Sequence, residues 1–357
     1  MDIYILDSGF NIVAIEDKFE SLIWNERYNS PGDFELVIPA NSSSIAYISM
    51  DSYIWIDGSE RMMIVEQQEP YMDADNGNSI LFRGRTLESI LDRRIVWNQT
   101  TISGNAQQAI KKLLNDSIIN PANANRKISN FIFKESTDTA IKSLTIEEMQ
   151  FTGENILEII QALCTKLKIG FKITINSLKQ FVFELYSGIN RTKEQTTVPQ
   201  VEFSLNNDNI FSSKLTIDKS VYKNVTLVAG EGEGLNRRTE VVNDSTRGLD
   251  RREYFTDARD ISSNNGEITP AAYSSMLIER GQKYLADLPI KKEVEAEVDT
   301  SPTAMYVFNK DYFLGDLVEN VDIYGTRSVS RVVEMTMSIT AKEYKFYPIF
   351  ENERIIA

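Results

Sequence analysis

The chain has 357 residues, more than one hydrophobic core usually organises, and its 42% hydrophobic and 25% charged residues are typical of globular proteins. Its 52 acidic and 38 basic residues give a formal net charge of -14, which disfavours binding to nucleic-acid phosphates. Histidine is absent, which excludes Ser-His-Asp triads, Cys-His pairs and His-ligated zinc. The sequence shows no basic leader and no run of about 20 apolar residues, so it predicts neither a signal peptide nor a membrane span.

The first 84 residues predict β-structure. Turn signals at Asp7–Gly9, Ser30–Asp33 and Asp57–Gly58 separate short apolar strands. Asn76-Gly77 predicts one more hairpin, because this dipeptide suits a two-residue turn. Many short strands with regular turns indicate a barrel or a sandwich.

Helical spacing replaces strand alternation after Thr86. Apolar residues recur every three to four positions over residues 106–114 and 156–167, and Gly170 is expected as the C-cap of the second helix. A hairpin is expected over residues 171–186. We therefore predict an α+β insertion over residues 98–190.

Strands return from residue 200 onward, after a polar segment, Ser187–Pro199, that we interpret as a linker. One helix is predicted at about residues 270–288, because Thr269-Pro270 is a favourable helix start and Pro289 ends it. The expected fold class is mainly β with an α+β insertion. The expected domains are residues 1–97, 98–190 and 200–357.

A faint internal echo links the two β-regions. The segment Tyr53–Glu66 and the segment Val321–Glu334 share an apolar strand, a glycine turn and a second strand. Two hairpins of like pattern also arise by chance, so the echo alone gives duplication only slight support.

Two glycine-containing motifs resemble ligand loops. Gly230–Gly234 is glycine-rich like a phosphate loop, but it carries two glutamates, which repel an anion, so we predict a mobile hairpin loop. Asp73–Gly77 resembles the start of a calcium loop, but its glycine is fifth rather than sixth, so we predict a turn. The sequence therefore predicts no cofactor and no metal.

Other candidate residues have simple structural interpretations. Asp257 and Asp260 are close enough in sequence for a glycosidase pair, yet the nearby arginines favour salt bridges. Cys164 lies on the apolar face of a predicted helix and is interpreted as a buried small residue. Three tryptophans could stack on sugars, but their strand-like surroundings favour the core: Trp24, Trp55 and Trp97.

Several segments, in this order, resemble a siphophage tail protein family of the ReqiPepy type. The resemblance spans nearly the whole chain, and its specificity comes from the ordered co-occurrence of weak motifs. These motifs are Gly84–Trp97, Phe131–Phe133, Thr152–Asn155, Val228–Gly234, Arg251–Ile261 and Gly315–Val318.

That family is similar to the N-terminal hub module of tail-associated lysins, and its wider relatives are the central hubs of contractile tails and the spike bases of type VI secretion. The resemblance implies a homotrimer with two tube-like β-barrels per subunit, over residues 1–97 and 200–357. It implies partners in the tail tube or distal tail protein above, and a spike, fibre or tape-measure protein below or inside. It places the chain in a virion or tail-like particle assembled in the bacterial cytoplasm.

We therefore expect a structural baseplate hub rather than an enzyme. Its candidate interface or salt-bridge residues are Arg85, Arg93, Arg94, Arg251, Arg252, Asp257 and Arg259. One alternative is a tail-tip endopeptidase or glycosidase, which the absence of histidine and of a C-terminal extension after Ala357 disfavours. Another is a module that binds a receptor or a carbohydrate.

Overall fold

The computed structural model describes residues 1–73, 77–299, 304–321, 325, 327–340 and 343–356. The strands before residue 98 are β1 (Ile3–Leu6), β2 (Ile12–Glu16), β3 (Ser21–Arg27), β4 (Asp33–Pro39), β5 (Tyr53–Ile56), β6 (Met62–Asp73) and β7 (Gly77–Thr86). Those of the middle segment are β8 (Thr100–Asn105), β9 (Phe131–Lys134), β10 (Thr145–Phe151), β11 (Gly170–Ile175) and β12 (Phe181–Tyr186).

The remaining strands are β13 (Glu202–Ser204), β14 (Ile210–Asp218), β15 (Val225–Ala229), β16 (Thr239–Val242), β17 (Glu253–Asp257), β18 (Lys291–Val298), β19 (Leu317–Val321), β20 (Arg327–Thr340) and β21 (Tyr344–Ile356). The α-helices are α1 (Ala106–Leu114), α2 (Thr139–Lys142), α3 (Ile156–Leu167) and α4 (Pro270–Ala286). The strands and helices expected from the sequence are therefore present, including the helix expected at about residues 270–288.

The chain divides into two compact units. The first comprises residues 1–214 and 294–357, and the second comprises residues 215–293. The second unit is one continuous stretch of sequence that begins within β14 and ends within β18. The division into domains 1–97, 98–190 and 200–357 stays a prediction.

The first unit is organised by one large sheet. Its strand order is β14-β18-β21-β20-β3-β4-β7-β6-β5-β1-β2, with β13 and β19 joined to the side of β20. Along β4 the buried positions alternate with half-buried ones, because successive side chains point to opposite faces of a strand. Trp24, Phe34 and Phe82 lie in the core on the covered face. Among the described strands this sheet is open, so the mainly-β class is confirmed and the two tube-like barrels stay a prediction.

The two β-regions have the same strand order. In the first, the order is β3-β4-β7-β6-β5; in the second, it is β14-β18-β21-β20-β19. If the five strands of each region are numbered by their place in the sequence, both regions have the order 1-2-5-4-3. The sequence echo in the hairpins is thus part of a wider repeat, although residues 322–324 of its second copy lie outside the described residues.

The middle segment adds two small sheets and two longer helices to the first unit. β8 pairs with β10, and β9 and β11 flank β12, so the hairpin expected over residues 171–186 is present. Asn105 and Asn155 cap the two helices by accepting hydrogen bonds from backbone N–H groups. The two helices, α1 and α3, supply much of a core that also contains Leu87 and Leu91.

Gly170 is not the C-cap of α3, contrary to expectation. Lys168 takes the left-handed cap conformation, with φ 56°. Gly170 begins β11 instead, where an added Cβ would collide with the rings of Tyr28 and Tyr186. The glycine is required by close packing, not by helix termination.

The segment interpreted as a linker packs against the C-terminal β-region. Arg191 is 7% exposed and Thr192 is 1% exposed. The guanidinium of Arg191 donates to the carboxylate of Asp316 over 2.6 Å, and Ile189 and Arg191 exchange backbone hydrogen bonds with Leu317. Residues 187–199 therefore connect two regions but are not a free linker, because they are hydrogen-bonded to the C-terminal β-region.

The second unit is a small α+β structure. Its sheet order is β16-β15-β17, with α4 packed on one face through Tyr273 and Leu277. Gly281 lets α4 approach the sheet, since an added Cβ would lie 2.6 Å from a Val228 methyl group. On the other face, Leu227, Val241 and Phe255 form an exposed apolar row across the three strands.

Candidate assembly interface

The central strands carry a polar ladder on the face opposite the core. Cross-strand partners point to the same face, so Thr336, Asn25 and Asp33 lie together. The Thr336 hydroxyl donates to the Asn25 side-chain oxygen over 2.6 Å, and the Asn25 amide donates to Asp33 over 2.6 Å. We call this side the open face of the sheet.

Ion pairs extend the ladder on the open face. Arg27 of β3 contacts Asp33 of β4 and Glu334 of β20, with 2.7 Å between its Nε and the Glu334 carboxylate. Arg83 of β7 lies 3.4 Å from Glu35 and 3.2 Å from Glu69. These pairs are partly exposed, so each contributes about 0–1 kcal/mol, and their main effect is to balance charge across the strands.

Arg85 of β7 also belongs to this ladder, since it lies opposite Asp33 of β4. It is one of the candidate residues identified from the sequence. It binds Glu66 in a bidentate manner, over 2.7 and 2.9 Å, and reaches Asp92 over 3.1 Å. The hydrogen bonds to Glu66, and then the attraction of both carboxylates, raise its pKa against the opposing effect of burial. Within the chain, Arg85 therefore holds the bulge of β6 at Glu66.

Arg93 and Arg94 follow in the same segment. Arg93 donates to the exposed carboxylate of Asp51 over 2.8 Å, and Arg94 donates to the backbone carbonyl of Arg126 over 3.0 Å. Arg93 is the last residue of the 3₁₀ helix Leu87–Arg93, whose apolar side chains are buried, and Arg85 and Arg94 flank this helix in the sequence. All three residues have partners within the chain.

The other four candidate residues lie in the second unit. Arg251 contacts Asp244 and Glu253, and Arg252 donates to the Lys219 carbonyl over 3.0 Å. Asp257 lies 2.6 Å from Arg237 and 3.5 Å from Arg259, which is 69% exposed at its side chain. The structure thus brings the seven candidates together only as two groups, one in each unit.

The carboxylate pair near residue 260 is held by arginines. Arg280 forms a bidentate contact with Asp260 over 3.1 and 2.7 Å, and its hydrogen bonds lower the pKa of Asp260 despite partial burial. Asp257 contacts Arg237 and Arg259. A general acid needs a raised pKa, so Asp260 is unsuited to that role.

The Gly230–Gly234 loop joins β15 and β16 in a hairpin, as expected. The Tyr273 hydroxyl accepts from the Glu231 N–H over 2.8 Å and donates to the Ile261 carbonyl over 3.0 Å. The Glu231 carboxylate accepts from the Ser263 N–H over 3.0 Å. The start of the loop is therefore tethered inside the second unit.

The other motif residues have plain outcomes. Cys164 is fully buried, as expected, and burial raises the pKa of its thiol. Residues 74–76 of the calcium-like motif lie outside the described residues. In the described part of the chain no three His, Cys, Asp or Glu side chains lie close enough together to hold a metal ion. None of the described helices has the length and apolar character needed to cross a membrane.

A buried pair joins the first β-region to the middle segment. Arg61 and Glu88 are 4% and 1% exposed and contact each other directly. The same Glu88 oxygen accepts from the backbone N–H of Ile173 over 2.9 Å, and Arg61 also donates to the Tyr186 hydroxyl over 3.0 Å. Sequence analysis missed this pair, because an Arg and a Glu 27 residues apart carry no periodic signal.

Trp97 departs from the expectation that the tryptophans lie in the core. Trp24 is 1% exposed, whereas Trp97 is 61% exposed and borders a cleft of about 620 Å³. The guanidinium carbon of Arg126 lies 5.2 Å from the centre of the Trp97 ring system. A π-helical turn, Asn115–Ile119, contributes Asp116 and Ser117 to the lining. Amides, hydroxyls and the charged side chain of Lys112 supply most of the remaining lining.

The fold is similar to that of solved phage tail proteins. The tail protein from Neisseria meningitidis MC58 shares 14% identity at a TM-score of 0.60, covering 99% of this chain and 96% of that chain. The prophage MuSo2 43 kDa tail protein from Shewanella oneidensis shares 13% identity at a TM-score of 0.59, covering 98% of each chain. At these identities the likeness shows the fold alone.

A weaker likeness extends to a chain of the lidded Francisella PdpA–VgrG complex. It shares 11% identity at a TM-score of 0.51, covering 98% of this chain and 52% of that chain. Comparison with curated proteins finds no match. The family comparison is more specific, because the siphovirus ReqiPepy6 Gp37-like description matches residues 2–350. The chain therefore belongs to the siphovirus ReqiPepy6 Gp37-like protein family, a family of phage tail proteins.

Proposed function

We propose that the chain is a structural hub subunit at the tail tip, with three copies forming a ring. The observation that carries the proposal is the repeated strand order, since each chain presents two like β-regions joined in one sheet. Three such chains present six like modules to a six-fold tail tube, while the other end of the ring keeps three-fold symmetry for a spike or fibre.

The proposed partners follow from this arrangement. The tail tube or distal tail protein lies above the ring, and a spike, fibre or tape-measure protein lies below or inside it. The site of action is a virion or a tail-like particle assembled in the bacterial cytoplasm. Membership of a tail protein family supports this placement.

The copy number in the native particle tests the proposal. We expect cryo-electron microscopy of purified tails to show three copies at the tip, each with its two β-regions related by about 60° around the axis. Six copies or one copy at this position would contradict the hub proposal. Light scattering on the isolated chain is not decisive, because such rings often form only on a partner.

An enzymatic role, as a tail-tip endopeptidase or glycosidase, is the first alternative. The salt-bridged carboxylates Asp257 and Asp260 give it no support. Cell-wall zymography with the purified chain separates it from the hub, since a structural subunit produces no clearing.

Carbohydrate binding is the second alternative, and the exposed ring of Trp97 favours it. An exposed tryptophan beside amide and hydroxyl groups can stack on a sugar ring while those groups bind its hydroxyls. If the cleft binds glycans, Trp97→Ala abolishes retention on host cell-wall polysaccharide. Trp55→Phe, outside this cleft, is the control, because Trp55 is half-buried and donates to the Ser59 carbonyl.

A further inference from the structure

Two arginines of the first unit differ from all the others in that unit. Arg94 and Arg126 have no carboxylate partner among the described residues, whereas every other arginine of the unit contacts one. Arg94 donates to the carbonyls of Arg93 and Arg126, and Arg126 donates to the Ile95 carbonyl over 2.6 Å. In a chain with a net charge of -14, two neighbouring cations without an acidic partner indicate a place for an anion.

Arg126 brings its charge to the cleft beside Trp97. Its side chain lines this cleft, and its guanidinium carbon lies 5.2 Å from the centre of the Trp97 ring system. Burial, and then the nearby charge of Arg94, lower the pKa of Arg126. A guanidinium carries five N–H donors, and the Ile95 carbonyl occupies one of them. Other donors of Arg126 therefore remain for an acceptor in the cleft.

A further cation, Lys112 of α1, lines the same cleft. Its ammonium donates to the Thr101 carbonyl over 2.7 Å. Asp116 is the acidic side chain of the described lining, and it accepts from the Asn115 amide over 3.0 Å. The lining thus sets two cations, Lys112 and Arg126, against one carboxylate. The cleft carries a positive charge on a strongly acidic chain, which favours an anionic ligand.

The rest of the lining suits sugar hydroxyls. Asn98, Gln99 and Asn120 supply amides that both donate and accept, and Ser117 supplies a hydroxyl. Ser117 is 3% exposed, so the cleft extends below the surface. Its volume of about 620 Å³ lies within the range of roughly 300–1,000 Å³ that is typical of small-molecule sites. Trp97, at 61% exposure, adds a flat apolar ring on which a sugar can stack.

We propose that this cleft binds an acidic glycan, a chain of sugars that carries carboxylate or phosphate groups. One sugar ring stacks on Trp97, the anionic group accepts hydrogen bonds from Arg126 and Lys112, and the hydroxyls bind the amides and Asp116. The inference is independent of the proposed ring. It rests on the carbohydrate-binding alternative and deepens it by naming the chemical class of the glycan.

The same groups disfavour a nucleic acid as the ligand. Single-stranded nucleic acids bind to grooves in which several aromatic rings stack on successive bases and basic residues follow the backbone. In the described lining Trp97 is the one aromatic residue, and the carboxylate of Asp116 repels phosphates. A sugar chain fits better, because its hydroxyls can donate to that carboxylate.

A glycan array tests the class of ligand. The labelled full-length chain is applied to an array that pairs uronic acid oligosaccharides and phosphorylated oligosaccharides with their neutral counterparts. We expect binding to acidic members only, and weaker binding as salt rises from about 0.05 M to about 0.5 M, because salt screens ion pairs. The carboxylate-bearing and phosphate-bearing members distinguish the two sources of the anionic group.

Calorimetry with the acidic glycan that binds most tightly tests the residues. Trp97→Ala should abolish binding, and Arg126→Gln, which keeps a donor but removes the charge, should weaken it at least about ten-fold. Lys112→Gln should weaken binding about three-fold. Lys111→Gln is the matched control and should bind like the native chain, because Lys111 pairs with Glu135 and is not part of the cleft lining.

The four variants should keep the native melting temperature, because all four side chains are exposed or half-buried. Equal binding of acidic and neutral members, or equal loss in the Lys111 and Lys112 variants, overturns the acidic ligand and leaves the carbohydrate-binding alternative. Binding to no member of the array overturns both.

A labelled single-stranded oligonucleotide completes the test. If it binds more tightly than every glycan and Trp97→Ala abolishes that binding, the cleft is a nucleic-acid site and the inference is wrong. Binding confined to acidic glycans and dependent on Trp97 and Arg126 establishes the site. The number of copies at the tail tip tests the hub separately, so neither result depends on the other.

Discussion

At the scale of single residues, the buried Arg61–Glu88 pair is the charged contact whose disruption we expect to destabilise the fold most. A buried guanidinium is tolerated when carboxylate and hydroxyl oxygens surround it, and Glu88 and Tyr186 supply these. The attraction of Glu88 raises the pKa of Arg61 despite the opposing effect of burial. Glu88 also accepts from the Ile173 backbone, so one carboxylate fixes β6, the 3₁₀ helix and β11 relative to each other.

We predict that Glu88→Ala lowers the free energy of unfolding of the first unit by about 3–5 kcal/mol, because it leaves Arg61 buried without its counter-charge. The double variant Arg61→Met with Glu88→Leu should cost much less, since it removes both charges and keeps similar volume. Urea unfolding followed by tryptophan fluorescence measures both. A double variant as unstable as Glu88→Ala would show that the pair itself, and not the stranded charge, stabilises the junction.

At the scale of elements, the end of β2 depends on one buried carboxylate. Glu16 is 3% exposed and accepts hydrogen bonds from the hydroxyls of Ser42 and Ser44 and from the Lys18 N–H. Burial acts to raise the pKa of Glu16, but these hydrogen bonds outweigh it and the pKa is lowered. The carboxylate thus connects β2 to the 3₁₀ helix Ser43–Tyr47.

Because the pKa of Glu16 is lower in the folded state, its stabilisation is complete above the ordinary value of 4.5 and is lost as the pH falls through the folded value. Glu16→Gln should lower the free energy of unfolding at pH 7 by about 1.5–3 kcal/mol and weaken its dependence on pH below 4.5. Chemical unfolding at several pH values measures this. Asp17→Asn, at an exposed neighbour, is the control and should retain the native pH dependence.

Most individual elements could be predicted from the sequence. The helices α1 and α3 follow from apolar spacing, and Asp57-Gly58 marks the β5–β6 turn through local backbone preference. The pairing of β3 with β20 could not be predicted, because alternation shows which face of a strand is buried and not which distant strand lies beside it. The compact unit over residues 215–293 was also missed, since its strands and helix have the same local patterns as the region that flanks it.

The candidate interface was only partly predictable for the same reason. Arg85 was identified, but its ladder neighbours Arg27, Arg83 and Glu334 were not. The charged positions spaced by two along β4 and β7 gave a usable signal, because they predict one polar face on each strand. Which polar faces lie side by side could not be predicted, because that depends on the strand order.

At the scale of the whole molecule, the open face sets the charge along one face of the large sheet, and so along one wall of the proposed ring. Its described ion pairs bring six carboxylates against the four cations Arg27, Arg83, Arg85 and Lys345; the carboxylates are those of Asp33, Glu35, Glu66, Glu69, Glu297 and Glu334. The carboxylates outnumber the cations and neutralise them. If this face lines a conduit, a wall without excess positive charge does not retain nucleic acid. The alternative is that the net charge of -14 serves only to keep the subunit soluble before assembly.

The variant Glu35→Gln with Glu69→Gln separates these two interpretations. It removes both carboxylates that contact Arg83 and leaves the backbone pairing unchanged. If the open face lines the conduit, the assembled variant should bind double-stranded DNA at low salt and release it as salt rises, whereas the native ring should not bind it. Asp51→Asn with Glu135→Gln is the control, because it removes the same charge from ion pairs of Arg93 and Lys111 away from the ladder. Fluorescence anisotropy with a labelled duplex measures binding, and equal behaviour of the two variants would leave solubility as the only role of the acidic charge.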